Sequence, residues 1–326
     1  MKLIYFGSPD ISAQLLERLC QEAGHEVAAV VTNPDRPKGR SKSLQPTAVA
    51  AFAESLQLPV FKFDSLKGDE GRLAQKQLSA FDADLMIVFA YGSIIPKDIF
   101  ELPRLGSVNL HGSLLPLLRG ASPVHTAILQ GFQKTGWTLQ KLGERMDAGD
   151  ILSSVAIDIE PDETTGDLFG RMMPLGIDLV IQSLPAIDQL IGRAIPQAEE
   201  KATYCQKIKP ADTLVDWTLP NQTIHNQIRA LSPDYLARSK IEDDKFVLFH
   251  RSRMISNAEA DQLLVAGNDS LSAGTVLIVK ASGKKRLLVA TGSGFLEIVE
   301  LQIQGRNRLD AHSFLNGNRI KDQMQF

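Results

Sequence analysis

DLMIVFA, residues 84–90, carries a single charge, at its first position. An apolar run of this length is what a strand buried on both faces requires. Outward from it, Glu26–Thr32 (EVAAVVT) is a second such run, Lys2–Phe6 a third that stops at Gly7, and Ser107–His111 a fourth. Helical spacing lies between them. Ile11, Leu15, Leu16 and Leu19 make one apolar stripe, and helices are expected around residues 47–56 and 66–80, on either side of a short strand at 59–61. Strands alternating with such helices imply right-handed βαβ crossovers and a Rossmann-like, mostly parallel sheet, so the fold class is α/β. A strand at 135–142 and a helix at about 165–191 close this half.

Beyond residue 203 the pattern changes. A helix near 221–231 precedes short apolar strands at 245–250, 274–280, 285–290 and 294–301, separated by glycine-bearing turns. That spacing implies a small antiparallel sheet or an OB-like β-barrel. The expected organisation is a catalytic domain over 1–191, a linker over 192–203 containing Pro196, and a smaller domain over 204–326.

Composition narrows the function. Hydrophobic residues make up 44% of the 326 and charged residues 22%, a globular balance that allows a core in each domain. Gly7-Ser8-Pro9 interrupts the N-terminal apolar run, so that run reads as a strand and not a signal peptide. No stretch is expected to supply the roughly 18–20 apolar residues of a membrane-spanning helix. Cys20 and Cys205 are far apart and outside any CxxC spacing, which implies a reducing, cytoplasmic setting with inert thiols. The six histidines never fall at ligand spacing, so no metal is expected. Gly7 is not followed by G-x-G-x-x-G, which speaks against a nicotinamide or flavin cofactor and against a dehydrogenase. The formal net charge is −3, unevenly spread. From Gln206 onward there are sixteen Lys/Arg against thirteen Asp/Glu, and before it nineteen against twenty-five. The sign suits a module that touches a polyanion, although ordinary surface variation produces as much.

Ligands of parallel sheets sit at the carboxyl ends of the strands. At the end of one strand stand Asn109 and His111, two apart and therefore on one face. A lone strand histidine usually packs and hydrogen-bonds, but a neighbouring amide is costly to bury unless something satisfies it. Asp147, in the turn GERMDAGD at 143–150, could face His111 if their strands are neighbours, and a carboxylate there would fix the imidazole tautomer. The loop 33–46 carries Arg36, Lys38, Arg40 and Lys42 against Asp35; it is either a solvated loop or a phosphate contact. His125, opening a helix, reads as structural.

Five segments together carry a resemblance: FGSPD (6–10), TNPDRPKGR (32–40), SVNLHGSLLPLLRGASP (107–123), TGWTLQKLGERMDAGDIL (135–152) and DWTLPNQTIHNQIRALSP (216–233). The chain resembles the methionyl-tRNA formyltransferases, from Lys2 to GNRI at 317–320. The pair NLHGSLLP and MDAGDIL is specific to the wider family of 10-formyltetrahydrofolate-using transferases and hydrolases. The basic loop and the C-terminal domain point to the tRNA-acting branch. The resemblance implies a catalytic triad of Asn109, His111 and Asp147. It implies a pterin pocket formed by Phe89, Ala90, Tyr91 and Gly92, walled by Ser113, Leu114, Leu115 and Pro116. It also implies a loop that clamps the acceptor end of tRNA through Arg36, Lys38, Arg40 and Lys42, in a monomer whose C-terminal barrel binds the tRNA body. Asn109 would donate to a developing oxyanion, His111 would manage proton transfer, and Asp147 would orient the ring. After Ala230-Leu231-Ser232-Pro233 the family usually has a second proline and an aromatic turn, whereas this chain continues Asp234-Tyr235-Leu236-Ala237-Arg238. A formyltransferase for a sugar or nucleotide amine, or a 10-formyltetrahydrofolate hydrolase, would share the triad.

Overall fold

A computed structural model of the chain describes residues 1–37, 43–241, 245–263, 271–281, 283–317 and 320–326. The chain divides into two compact units. The first holds Met1–Pro123, Thr135–Ile157 and Arg171–Cys205, and the second holds Val124–Lys134, Asp158–Gly170 and Gln206–Phe326. The stretch 192–203, expected as a linker, lies within the first unit. Its Gln197 is buried and hydrogen-bonded there.

The first unit is built on a seven-stranded sheet. Its order is Ile151–Asp158, Lys134–Lys141, Ser107–His111, Leu85–Val88, Lys2–Phe6, Glu26–Thr32, Val60–Lys62. The five strands from Ser107–His111 to Val60–Lys62 are parallel, and Lys134–Lys141 runs antiparallel to Ser107–His111. The sheet is thus Rossmann-like and mostly parallel. The runs that read as doubly buried are so: all of Leu85–Val88 is buried, and all of Glu26–Thr32 after its first residue. The helix Asp10–Gln21 buries Leu15, Leu16 and Leu19, but Ser12 in place of the expected Ile11. The reason is polar. Ser12 Oγ donates to the Phe89 carbonyl at 2.8 Å and lies 2.7 Å from the fully buried Tyr5 hydroxyl. Gly7 permits this approach, because a Cβ there would fall 1.8 Å from Ser12 Oγ.

The helix Thr165–Ser183 begins in the second unit and continues in the first. With its extension to Gly192 it is long and apolar enough to cross a membrane by length and composition alone, which corrects the expectation that no stretch is. Its burial is one-sided: Leu168, Met172, Gly176, Val180, Leu184 and Ile187 are covered, while Arg171, Asp178 and Asp188 are exposed. That is the stripe of a helix lying on a protein surface.

The second unit has an antiparallel sheet ordered Ala237–Lys240, Phe246–Met254, Phe295–Ile303, Lys284–Ala290, Val276–Ala281, with Leu309–Asp310 added to Phe295–Ile303. Its core gathers Trp217, Ile224, Ile228, Phe249, Leu296 and Phe314. Segments from the first half of the chain belong to this unit and are bonded into it. Thr165 Oγ1 donates to the Ala230 carbonyl at 2.6 Å, Arg229 to the Glu160 carbonyl at 3.2 Å, and Arg251 to Asp167 at 2.8 Å. His125 stacks edge-on to Tyr235, with ring centroids 5.4 Å apart, and lies 3.4 Å from Asp234. The unusual turn after Pro233 is therefore the cover over His125.

Candidate active site

Three strand ends define one edge of the first sheet. Phe6 pairs with Val88, and Val88 with Asn109, so Gly7, Phe89 and Leu110 stand in one row. Antiparallel pairing then sets Gln140 opposite Asn109 and Thr138 opposite His111. Cross-strand partners share a face. Asn109, His111, Thr138 and Gln140 consequently rise on the same side, above the edge where ligands of parallel sheets bind.

His111 is 5% exposed, with a neighbour at each nitrogen. Nε2–H donates to the Leu118 carbonyl at 2.9 Å, and Nδ1 faces Asp147 Oδ1 at 3.5 Å. The Leu118 carbonyl only accepts, so Nε2 carries a hydrogen. The Leu118 carbonyl reaches the ring because residues 113–118 double back. Ser113 Oγ donates to the Leu117 carbonyl at 2.6 Å, and the Leu115 amide to Thr138 Oγ1 at 3.1 Å. Leu114 is half-buried, with Cδ2 2.7 Å from where a Cβ on Gly136 would stand, and Pro116 is half-buried beside it in sequence.

Asp147 stands in a tight turn. Gly149 lies so close to the strand end that a Cβ on it would sit 1.8 Å from the Lys141 carbonyl. The carboxylate accepts from the Gly120 amide at Oδ2, 2.9 Å, and from Gln140 Nε2 at Oδ1, 3.1 Å. Asn109 is half-buried, and among the described residues its side-chain amide donates to none. Three non-glycine residues around this edge have left-handed backbone: Ala90 at φ 51°, Leu118 at φ 56° and Asp147 at φ 51°. Such strain gathers where surrounding structure over-determines the chain, as at functional sites.

Phe89, Ala90, Tyr91 and Gly92 form the turn after Leu85–Val88. Phe89 and Tyr91 are buried, edge-on to Trp137 and Phe6 respectively, while Ala90 and Gly92 are exposed. The Tyr91 phenol is pushed up to about 12 by burial, which leaves it neutral at physiological pH. Asn33, at the root of the basic loop, donates Nδ2–H to the Tyr91 carbonyl at 2.8 Å, and its own amide donates to Ser8 Oγ at 3.2 Å. Arg36 is exposed in a two-residue ladder with Leu44–Gln45. Lys38, Arg40 and Lys42 lie outside the described residues. The structure thus brings Asn109, His111 and Asp147 together with the 113–116 segment.

Four participants carried no flag in the sequence. Gln140 was legible in principle, since alternation from Thr138 puts it on the face of Asn109. The Leu118 carbonyl is backbone and has no letter. Arg119 is 1% exposed and bonds Gln197, Glu199 and Tyr204. Gln197 sits in an aperiodic stretch.

Residues 1–184 match the formyl transferase family, and residues 207–319 match the formyl transferase C-terminal domain. The methionyl-tRNA formyltransferase of Leptospira interrogans is 44% identical over the whole length of both chains. The chain belongs to the methionyl-tRNA formyltransferase family. The enzyme of that name from Staphylococcus aureus is 35% identical, over 97% of this chain and 96% of its own. Two solved structures share the fold. The methionyl-tRNA formyltransferase from Clostridium thermocellum has TM-score 0.52 and 19% identity, over 79% of this chain and 95% of that one. An N-formyltransferase from Helicobacter canadensis, in complex with folinic acid and dTDP-3-aminofucose, has TM-score 0.61 and 19% identity, over 91% and 98%.

Proposed function

We propose that the chain transfers a formyl group from 10-formyltetrahydrofolate to the amino group of methionine on initiator methionyl-tRNA, supporting translation initiation. The observation that carries the mechanism is an imidazole set between Leu118 and Asp147, two residues from an amide that donates to no group among the described residues. An unspent, half-buried donor at a strand end is suited to a substrate oxygen. The folate supplies an activated formyl group. The backbone at Ala90 and Gly92 is open enough to meet a heterocycle, with Ser113, Leu114, Leu115 and Pro116 as the opposite wall.

In the reaction the neutral amine attacks the formyl carbon, the new C–N bond forms, and the bond to the folate nitrogen N10 breaks. One proton leaves the amine and one reaches N10, so the exchange balances without a redox partner. Asn109 donates to the oxygen where negative charge develops. His111 supplies Nε2–H to the same region by exchanging its Leu118 acceptor, and is the proton carrier. Asp147 orients the ring. The loop with Arg36, Lys38, Arg40 and Lys42 contacts acceptor-end phosphates, and the second unit contacts the tRNA body, in the cytoplasm. The family membership and the folate-bound relative support this reading.

The test is transfer of labelled formyl from 10-formyltetrahydrofolate to charged initiator tRNA. Label recovered on the methionine of the tRNA is the expected result. Formate release without an acceptor would instead identify a hydrolase, and labelling of an amino sugar with none of tRNA would identify a sugar-amine enzyme. Either would overturn the proposal.

A further inference from the structure

We infer that Gln197 is a positioning residue for formyl transfer, holding the 147–149 turn, together with Gln140, so that Asp147 faces His111; this role rests on the function proposed above. Gln197 Nε2 donates to the Asp147 carbonyl at 2.9 Å and to the Gly149 carbonyl at 2.7 Å. It also lies 3.3 Å from Gln140 Oε1. On the other side Gln197 Oε1 accepts from Arg119 Nε at 2.9 Å. Carbonyls only accept and a guanidinium only donates, so the amide has one possible orientation. The same holds for Gln140, whose Oε1 faces an N–H and whose Nε2 faces a carboxylate.

The result is a directed chain, Arg119 to Gln197 to the turn and to Gln140, and from Gln140 to Asp147 Oδ1. Both of its ends are fixed. Arg119 is clamped by Glu199 at 2.9 Å and the Tyr204 hydroxyl at 3.2 Å, and Asp147 Oδ2 by the Gly120 amide. Asp147 needs such a clamp because its left-handed backbone is not one that an aspartate holds for nothing. Gln197 grips the carbonyls on both sides of Ala148, so it staples the turn in that conformation. Without the staple the turn can relax and the carboxylate leaves its place beside Nδ1. Misplacement by about 1 Å costs on the order of 100-fold in rate when it touches the reacting geometry.

The experiment is a double-mutant cycle on the full chain, with Gln197→Met, Asp147→Asn and the pair. Methionine keeps the length and the apolar stem but removes both donors. Gln197→Met should lower kcat by about 10-fold or more while the KM for 10-formyltetrahydrofolate changes little. In the Asp147→Asn background the same substitution should have no further effect, because the carboxylate it positions is gone. Its pH–rate profile should change in the same limb as that of Asp147→Asn. If Gln197→Met lowers kcat by an equal factor in both backgrounds, the residue acts elsewhere and the inference is overturned. If Asp147→Asn alone leaves kcat and its pH profile intact, the proposed function fails at Asp147, a distinguishable result. Should Gln197→Met lose its cooperative thermal transition, Gln140→Met takes its place in the cycle. Non-additivity with Asp147→Asn then supports the relay, and additivity overturns it.

Discussion

With Nε2–H given to the Leu118 carbonyl and Nδ1 turned to Asp147, the His111 ring cannot rotate without breaking a contact. His111→Ala should therefore keep folate affinity, measured by fluorescence titration, and lower kcat for tRNA formylation by about 10²–10⁴-fold, the scale of losing a general acid–base group. Near-unchanged turnover would remove His111 from the mechanism. Asp147→Asn keeps the shape but sets an amide among donors. Its NH2 group must face either the Gly120 N–H or the Gln140 N–H, so one present hydrogen bond becomes a clash of donors. The pH–rate profile should lose or displace a limb, and a superimposable profile would leave Asp147 as a turn residue. At this scale the sequence was readable where a side chain belongs to a local pattern. Asn109 and His111 alternate on one strand, and Asp147 lies in a glycine-flanked turn within a motif that resembles a family. Gln197 was not readable, because its partner Asp147 is fifty residues earlier and no periodicity links them.

Elements decide whether such residues hold their places. Gly149 lets the 143–150 turn fold back against the end of Lys134–Lys141, and a Cβ there would overlap the Lys141 carbonyl. Gly149→Ala should cost about 1–3 kcal/mol of stability, as over-packing against fixed backbone does, and should lower kcat together with it. Urea unfolding and formylation kinetics on one preparation check both, and a variant of unchanged stability would mean the turn has room to shift. In the second unit the helix Asn257–Leu263 is tied to the sheet through Glu259, Arg253, Arg286 and Glu297. Hydrogen bonds from Arg253, then Arg286, hold the Glu259 carboxyl down at about 2, from its ordinary 4.5. A depressed folded-state value means that the stabilisation is complete above the unfolded value and fades as pH falls toward the folded one. Glu259→Gln should thus lose about 1 kcal/mol at pH 7, the scale of a half-buried, networked pair discounted for solvent screening. The gap to the unsubstituted chain should narrow at pH 3, and a constant gap in urea titrations would contradict the assignment. Buried strands such as Leu85–Val88 announced themselves by continuous apolar letters. Ala237–Lys240 (ARSK) and Ile151–Asp158, both at sheet edges, did not, because an edge strand has no need of a second apolar face.

Over the whole molecule, sequence order and compact unit do not coincide, and this changes what a truncation means. A single boundary near 192–203 was the natural reading of a pattern change, since periodicity reports which element a residue belongs to but not what that element packs against. In the structure Val124–Lys134 and Asp158–Gly170 belong with Gln206–Phe326. A chain ending at Lys201 keeps Asn109, His111 and Asp147 but strips those two segments of their partners. Thr165 Oγ1 loses the Ala230 carbonyl, the Glu160 carbonyl loses Arg229, and Asp167 loses Arg251. Leu129, packed against the second unit's core, is opened to water as well, at about 25 cal/mol per Å² of apolar surface uncovered. Arg119 also loses the Tyr204 hydroxyl. The truncated chain should therefore show a markedly lower Tm than the full chain and weakened folate binding, beyond any loss of tRNA contacts. The two causes separate by salt. In the full chain kcat/KM for charged tRNA should fall steeply with salt, with a log–log slope of roughly −0.7 to −0.9 per phosphate neutralised. Folate affinity should hardly respond to salt in either chain, so its loss on truncation would report folding alone. A chain ending at Lys201 that melts at the same temperature, binds folate as well and formylates tRNA with the same salt slope would show that residues 202–326 neither complete the fold nor touch the polyanion.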